Sequence, residues 1–336
     1  MSYSYIKAVR YYLPEKVYTN EDYFRDFPEQ RGNKSLKKIG VQQRSIASAE
    51  ELTSDLGVQA SEKLFAEFPI HKNEIDFLIF CGGERDYDFP KTSGLIQHRL
   101  GLPKRCGTID MIDGCSGYLY GLHIAKGLIE LNEFKNILLI NSVTTTKDLH
   151  PKDKGSRFIF GDAAAVTLIS AREEPGMGIF EFGTDGSQYD KIIRKDGGAR
   201  HPLTASSYTE KEDAYGNVTS DAHLYMNGVA VFNFGLHTVP QVIQSTLVKN
   251  KISLEDVDLF IFHQANLFLI KTICSLLKIA DDKVFNYMEK TGNTVSASIP
   301  IVLSEAIQSG KAKKGDKIVL CGFGVGLSWS GTLITM

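Results

Sequence analysis

The sequence is short of paired cysteines, of excess charge and of long apolar runs, and each shortage narrows what the chain can be. Its five cysteines, Cys81, Cys106, Cys115, Cys274 and Cys321, form no Cys-x-x-Cys pair and no cysteine–histidine spacing of metal-ligand type. An odd, scattered set points to reduced thiols in a cytoplasmic protein rather than to a disulfide framework, and no metal is expected. Lysine and arginine total 38 against 40 acidic residues, a formal net charge of −2, so no basic stripe argues for nucleic acid. The local basic run Arg31, Lys34, Lys37, Lys38 reads first as solvated surface. No stretch approaches the length of a membrane span. Residues Met1 to Lys7 lack the charged-then-apolar order of a secretory leader.

What is there is repetition. The 336 residues suit two halves of roughly 150 residues each. Glu74 to Phe80 and Asp256 to Phe262 place acidic and apolar positions in the same order, and both read as buried strands. Each is followed by a glycine-punctuated loop and an apolar helix, Cys115 to Leu131 in one half and Ser296 to Ser309 in the other. Each helix leads into another buried strand, Asn136 to Ile140 and Lys317 to Cys321. Strand–loop–helix–strand recurring at a near-constant offset predicts an α/β chain of two pseudo-repeated halves, 1–175 and 176–336. The boundary falls at the turn residues Glu173 to Gly176. An irregular stretch, Asp185 to Ala222, predicts an excursion over one edge that lines a pocket.

Chemistry concentrates at the ends of these elements. Cys115, in Asp113-Gly114-Cys115-Ser116-Gly117, precedes apolar residues at helical spacing: Leu119, Leu122, Ala125, Ile129. A cysteine at a helix N-terminus meets unpaired N–H groups and the positive dipole end, which favour a thiolate nucleophile and an oxyanion. A packing cysteine at a tight turn is the plain alternative. His263 closes a buried strand, where open α/β sheets place their sites, although a hydrogen-bonded core histidine fits the same spot. Asn293, in Thr291 to Pro300, stands before the second-half helix and has helix capping as its ordinary role. The repeat brings all three to the seam between halves, and that convergence favours function.

These residues carry a family resemblance. His263-Gln-Ala-Asn266, Gly292-Asn-Thr294 with Ala297-Ser-Ile-Pro300, and Gly322 to Trp329 resemble motifs of the β-ketoacyl-acyl-carrier-protein synthase III family. Tyr12 to Asn20, Arg44 to Ala47, Phe160-Gly-Asp162 and Asp185-Gly-Ser187 extend the likeness over essentially the whole chain. The resemblance implies a five-layered αβαβα thiolase fold, a homodimer, and substrates delivered as acyl-coenzyme A or acyl-carrier-protein thioesters, with no bound cofactor. It implies that Cys115 accepts the acyl group and that His263 and Asn293 hold the enolate of a decarboxylating malonyl-type extender. The backbone N–H groups of Cys115 and Val325 would form the oxyanion hole, and Phe89 would reach the partner's acyl tunnel.

Departures accompany the likeness. Coenzyme-binding positions that in the family stack on adenine, or lie beside it as arginine, are Lys34, Lys154 and Lys38 here, and lysine supplies charge without a planar contact. Basic carrier-docking positions are Phe268 and Asn233, which weakens the expected attraction for an acidic carrier. A specialised relative in secondary metabolism or surface-glycan acylation therefore stands beside fatty-acid initiation. A degradative thiolase would need a histidine at Asn293 and a cysteine at Leu320. Cys321 is one residue off and faces the other way along a strand. Acyl transfer from Cys115 to an oxygen or nitrogen acceptor, and a non-catalytic partner subunit, remain as other readings.

Overall fold

A computed structural model describes residues 2–336. The chain opens with β1 (Tyr3–Tyr12) and a small antiparallel pair, β2 (Val17–Thr19) and β3 (Gln43–Ser45), that brackets α1 (Asn20–Asp26) and α2 (Lys34–Ile39). Then follow α3 (Thr53–Glu67), β4 (Phe77–Cys81), α4 (Thr92–Arg99), β5 (Gly107–Met111), α5 (Gly117–Glu130), β6 (Asn136–Val143), α6 (Lys154–Ile159) and β7 (Ala163–Arg172). Their sheet runs β1-β7-β6-β4-β5, with β4 parallel to both β5 and β6.

After a turn at 173–176 the plan recurs. β8 (Met177–Thr184) leads into the excursion, which carries 3-10 turns and the short strands β9 (Ile192–Arg194), β10 (Lys211–Glu212) and β11 (Val218–Thr219), with β12 (Leu224–Met226) just after it. Regular structure resumes with α7 (Gly228–Lys249), β13 (Leu259–Phe262), α8 (Leu267–Leu277), α9 (Met288–Thr291), α10 (Ser298–Gln308), β14 (Lys317–Gly324) and β15 (Ser328–Thr335). The second sheet, β8-β15-β14-β13, repeats the order β1-β7-β6-β4. Its fifth strand shrinks to one parallel bridge, Phe260 to Val284.

Side-chain alternation explains why these strands are apolar throughout. Ile79 and Cys81 of β4 join one core, whereas Leu78 and Phe80 join another on the opposite face. In β13, Leu259 and Ile261 enter the first of those cores, and Phe260 and Phe262 enter a third. The shared core also holds Leu119, Leu122, Ala125 and Ile129 of α5 with Ile299, Val302, Leu303 and Ala306 of α10. Helices α5 and α10 are therefore the central layer, with a sheet on each side. Helices α3 and α4 cover one outer face, and α7 and α8 the other. Five layers result, because strands buried on both faces leave no polar side for water. The alternation also separates Leu320, in the central core, from Cys321, which faces α7 and α8.

Candidate active site

Cys115 stands immediately before the helix-capping Ser116 of α5 and is 7% exposed. The C-terminal turn between β14 and β15 folds over its sulfur. A Cβ added at Gly324 would lie 2.6 Å from Cys115 Sγ, and one at Gly114 would lie 2.4 Å from Val325 Cγ1. Only glycine allows this approach. The turn is tied down by Ser328, whose Oγ donates to the Val325 carbonyl at 2.7 Å and lies 2.6 Å from Ser116 Oγ. Burial pushes the Cys115 thiol up to about 12, while the N–H groups of Val325 and of Cys115 itself pull it down. Those are the two groups expected to form an oxyanion hole. The thiolate expected from the helix dipole does not prevail at rest, because desolvation outweighs it.

A testable consequence is the pH dependence of alkylation. With the thiol protonated below about 12, labelling of Cys115 by iodoacetamide is expected to rise about tenfold per pH unit from pH 7 to 10. A plateau near neutrality, read by intact mass, would show a stabilised thiolate instead.

His263 ends β13 and is 2% exposed. Its N–H donates to the Cys321 carbonyl at 2.8 Å, fixing the backbone to β14. Burial drives the imidazole down to about 3, with the Val295 carbonyl pulling weakly upward, so the ring is neutral at physiological pH. No imidazolium is present to pair with a thiolate. Ser298 Oγ lies 2.8 Å from Nδ1 and 2.9 Å from the Val295 carbonyl. A hydroxyl has one proton. When it donates to the Val295 carbonyl, Nδ1–H donates to Ser298; when it donates to Nδ1, the ring proton sits on Nε2.

Asn293 is placed by its backbone, which bonds to Ile159 and Gly161 beside α6. That approach requires Gly292, at φ 64°, whose added Cβ would lie 2.6 Å from the Ile159 carbonyl. Arg44 and Asp162, both fully buried, brace the same segment. Arg44 Nη2 donates to the Phe158 carbonyl at 2.6 Å, and Asp162 accepts the Ala47 and Thr146 N–H groups. Asn293 Oδ1 accepts the Val295 N–H at 2.9 Å, which leaves Nδ2 as a donor for the cavity. Val295 holds φ 48°, a costly conformation for a β-branched residue. Its N–H orients Asn293, and its carbonyl lies within reach of the Ser298 hydroxyl.

Cys115, His263, Asn293 and Val325 line one cavity of about 570 Å³. Ile192 and Arg194 of the excursion, with Leu224 and Met226 just after it, complete the lining. Ser298 was unassigned in the sequence reading, although it lies within a recognised motif; its role emerges only from contact. Glu84, Arg85 and Thr145, which also line the cavity, were missed altogether.

Other expected residues lie elsewhere. Phe89 is 91% exposed and does not line this cavity. Lys34 and Lys38 are exposed on α2, and Lys38 Nζ sits 5.5 Å over the ring of Phe268. Phe268 stacks on the cavity residue Phe232, with ring centroids 5.6 Å apart. Lys154 Nζ faces Glu29 at 3.7 Å.

Fold and site define a condensing enzyme of the thiolase type. The family description 3-oxoacyl-[acyl-carrier-protein (ACP)] synthase III matches residues 109–186, and its C-terminal counterpart matches 247–336. The chain is 33% identical over 331 residues to β-ketoacyl-[acyl-carrier-protein] synthase III of Fusobacterium nucleatum, covering 98% of this chain and 97% of that one. It is 34% identical over 326 residues to the Clostridium perfringens enzyme of the same description, covering 97% of each. A crystal structure of a 3-oxoacyl-(acyl-carrier-protein) synthase III superposes at TM-score 0.97 with 40% identity, covering 99% of this chain and 100% of the other. The Thermus thermophilus structure superposes at 0.86 with 30% identity over 99% of each. The chain belongs to the β-ketoacyl-acyl-carrier-protein synthase III family and is an enzyme of that family, a transferase. Among the described residues no helix is long and apolar enough to cross a membrane.

Proposed function

We propose that the enzyme takes an acyl group from a coenzyme A or carrier-protein thioester onto Cys115 and condenses it with a malonyl-type thioester. The supporting observation is the convergence of Cys115, His263, Asn293 and the Val325 N–H on one cavity. In the first step the sulfur attacks the thioester carbonyl, whose oxyanion meets the N–H groups of Cys115 and Val325. The carrier leaves as a thiol, taking the cysteine proton. In the second, the carbon–carboxylate bond of the malonyl unit breaks and carbon dioxide leaves. The electron pair becomes an enolate whose oxygen receives hydrogen bonds from His263 Nε2 and Asn293 Nδ2. The enolate carbon attacks the acyl-cysteine carbonyl, the carbon–carbon bond forms and the carbon–sulfur bond breaks. The cysteine sulfur then recovers a proton.

A neutral histidine suits this role, since it donates without needing to be charged. Ser298→Ala is expected to cut decarboxylative condensation about 10- to 100-fold by removing the partner that fixes the tautomer. Acylation of Cys115 should persist. An equal loss in both steps would mark a general structural defect instead.

The unpaired edge of β5 carries exposed Ile109, with Ile112 and Phe89 beside it, and suits pairing with a second copy that would receive Phe89. Lys34 and Lys38 would meet the carrier near Phe268, and Lys154 would contribute charge. Release of labelled carbon dioxide, dependent on both an acyl donor and a malonyl thioester, tests the reaction. Acyl transfer without that release would establish simple transfer to another acceptor and overturn condensation.

A further inference from the structure

The cavity around Cys115 is lined by two chemically different groups of residues. Beside His263 and Asn293 in the lining, helices α7 and α8 contribute the apolar Val231, Phe232 and Leu269. The extender thioester must sit there, because its carbonyl has to reach both donors. The acyl chain on Cys115 is assigned to the part of the lining contributed by the residues that follow β4 and β6. The polar group in the lining is Glu84, Arg85, Thr145, Asp148 and Arg194. It is an unusual lining for a plain alkyl chain, which gains nothing from charged and hydroxyl groups and leaves them poorly solvated.

Glu84 is the centre of this group. Thr145 Oγ1 donates to its Oε1 at 2.7 Å, whereas Oε2 is covered and has no hydrogen-bond partner. Arg194 is already engaged by Asp148 at 3.0 Å, and Arg85 faces Asp88 at 3.4 Å. Neither arginine bonds to the Glu84 carboxyl. Burial, with Asp148 and Asp162 nearby, lifts the carboxyl to about 7 despite the Thr145 hydrogen bond. Buried carboxyl oxygens without a partner are rare and call for an explanation.

We propose that the acyl group accepted by Cys115 carries a hydroxyl, and that Glu84, oriented by Thr145, recognises it. This rests on the function proposed above and names the donor class, a hydroxyacyl thioester rather than a straight alkyl one. A rotation of the Glu84 carboxyl toward the cavity would bring its unpartnered oxygen to the hydroxyl, which donates to it as a methylene cannot.

The test compares acylation of the full chain by butyryl-coenzyme A and by hydroxybutyryl-coenzyme A with the hydroxyl on carbon three or carbon four, followed by intact mass. Wild type should favour a hydroxylated donor about tenfold or more in kcat/KM. Glu84→Leu should erase the preference, Glu84→Gln should keep part of it, and Thr145→Val should weaken it. Equal or faster acylation by butyryl-coenzyme A in wild type overturns the proposal, whatever the variants do. So does a preference that survives in Glu84→Leu. If acetyl-coenzyme A acylates Cys115 but neither hydroxylated donor does, the hydroxyl proposal falls and the acyl-enzyme reading stands. If no thioester acylates Cys115, both fall.

Discussion

Asn293→Asp is expected to lower decarboxylative condensation about 10²- to 10³-fold while leaving acylation of Cys115 nearly intact. The substitution is close to isosteric, and an aspartate oxygen can still accept the Val295 N–H that Asn293 Oδ1 accepts at 2.9 Å. What changes is the other atom: an N–H donor becomes an acceptor aimed at the developing enolate oxygen. One of two stabilising groups is lost and a repulsive one replaces it. His263 remains and should preserve a residual rate. Separate measurement of acyl-enzyme formation and of carbon dioxide release checks the split. An unchanged condensation rate would remove Asn293 from the chemistry.

Gly324→Ala should have a comparably large effect through a different cause. The new Cβ would lie 2.6 Å from Cys115 Sγ and 2.7 Å from its Cβ, so either the sulfur or the end of β14 must move. Displacement of a reacting atom by about 1 Å can cost about 10²-fold, and acylation is expected to fall by that order. Overpacking should also cost about 1–3 kcal/mol of stability, visible in a denaturant titration. Gly127→Ala provides the contrast. Gly127 lies inside α5 with nothing within 4 Å of an added Cβ, so alanine there should stabilise the helix by up to about 1 kcal/mol and leave activity unchanged.

Much of the architecture was legible because burial on both faces leaves a mark in one dimension. Leu78 to Cys81 and Leu259 to Phe262 read as apolar runs, and the structure shows each splitting its side chains between two cores. The helix after Cys115 showed its spacing, the one after Ser296 followed from the repeat, and both proved central. Cys115, His263 and Asn293 stood out because each sits at an element's end, where the repeat could be followed.

The remaining features depend on distances that sequence does not carry. Ser298 was visible as part of a motif, yet its place 2.8 Å from His263 Nδ1 follows from the positive φ of Val295, which tertiary packing imposes. Glu84 sits in a charge-rich stretch, Glu84 to Asp88, that carries none of the motifs singled out above. Only the fold shows that its carboxyl turns inward to Thr145. The state of Cys115 followed the same pattern. A helix N-terminus is apparent from residue order, but the desolvation that raises the thiol to about 12 belongs to the packed site. The coenzyme-side lysines were read by matching positions alone, and among the described residues none lines the cavity.

The most direct test of the account is the intact mass of wild type and Cys115→Ala after mixing with a panel of acyl-coenzyme A and acyl-carrier-protein donors. The account predicts one added acyl mass on wild type, none on the variant, and loss of the adduct with carbon dioxide release when a malonyl thioester follows. An adduct that persists in Cys115→Ala, or no adduct with any donor, would contradict it.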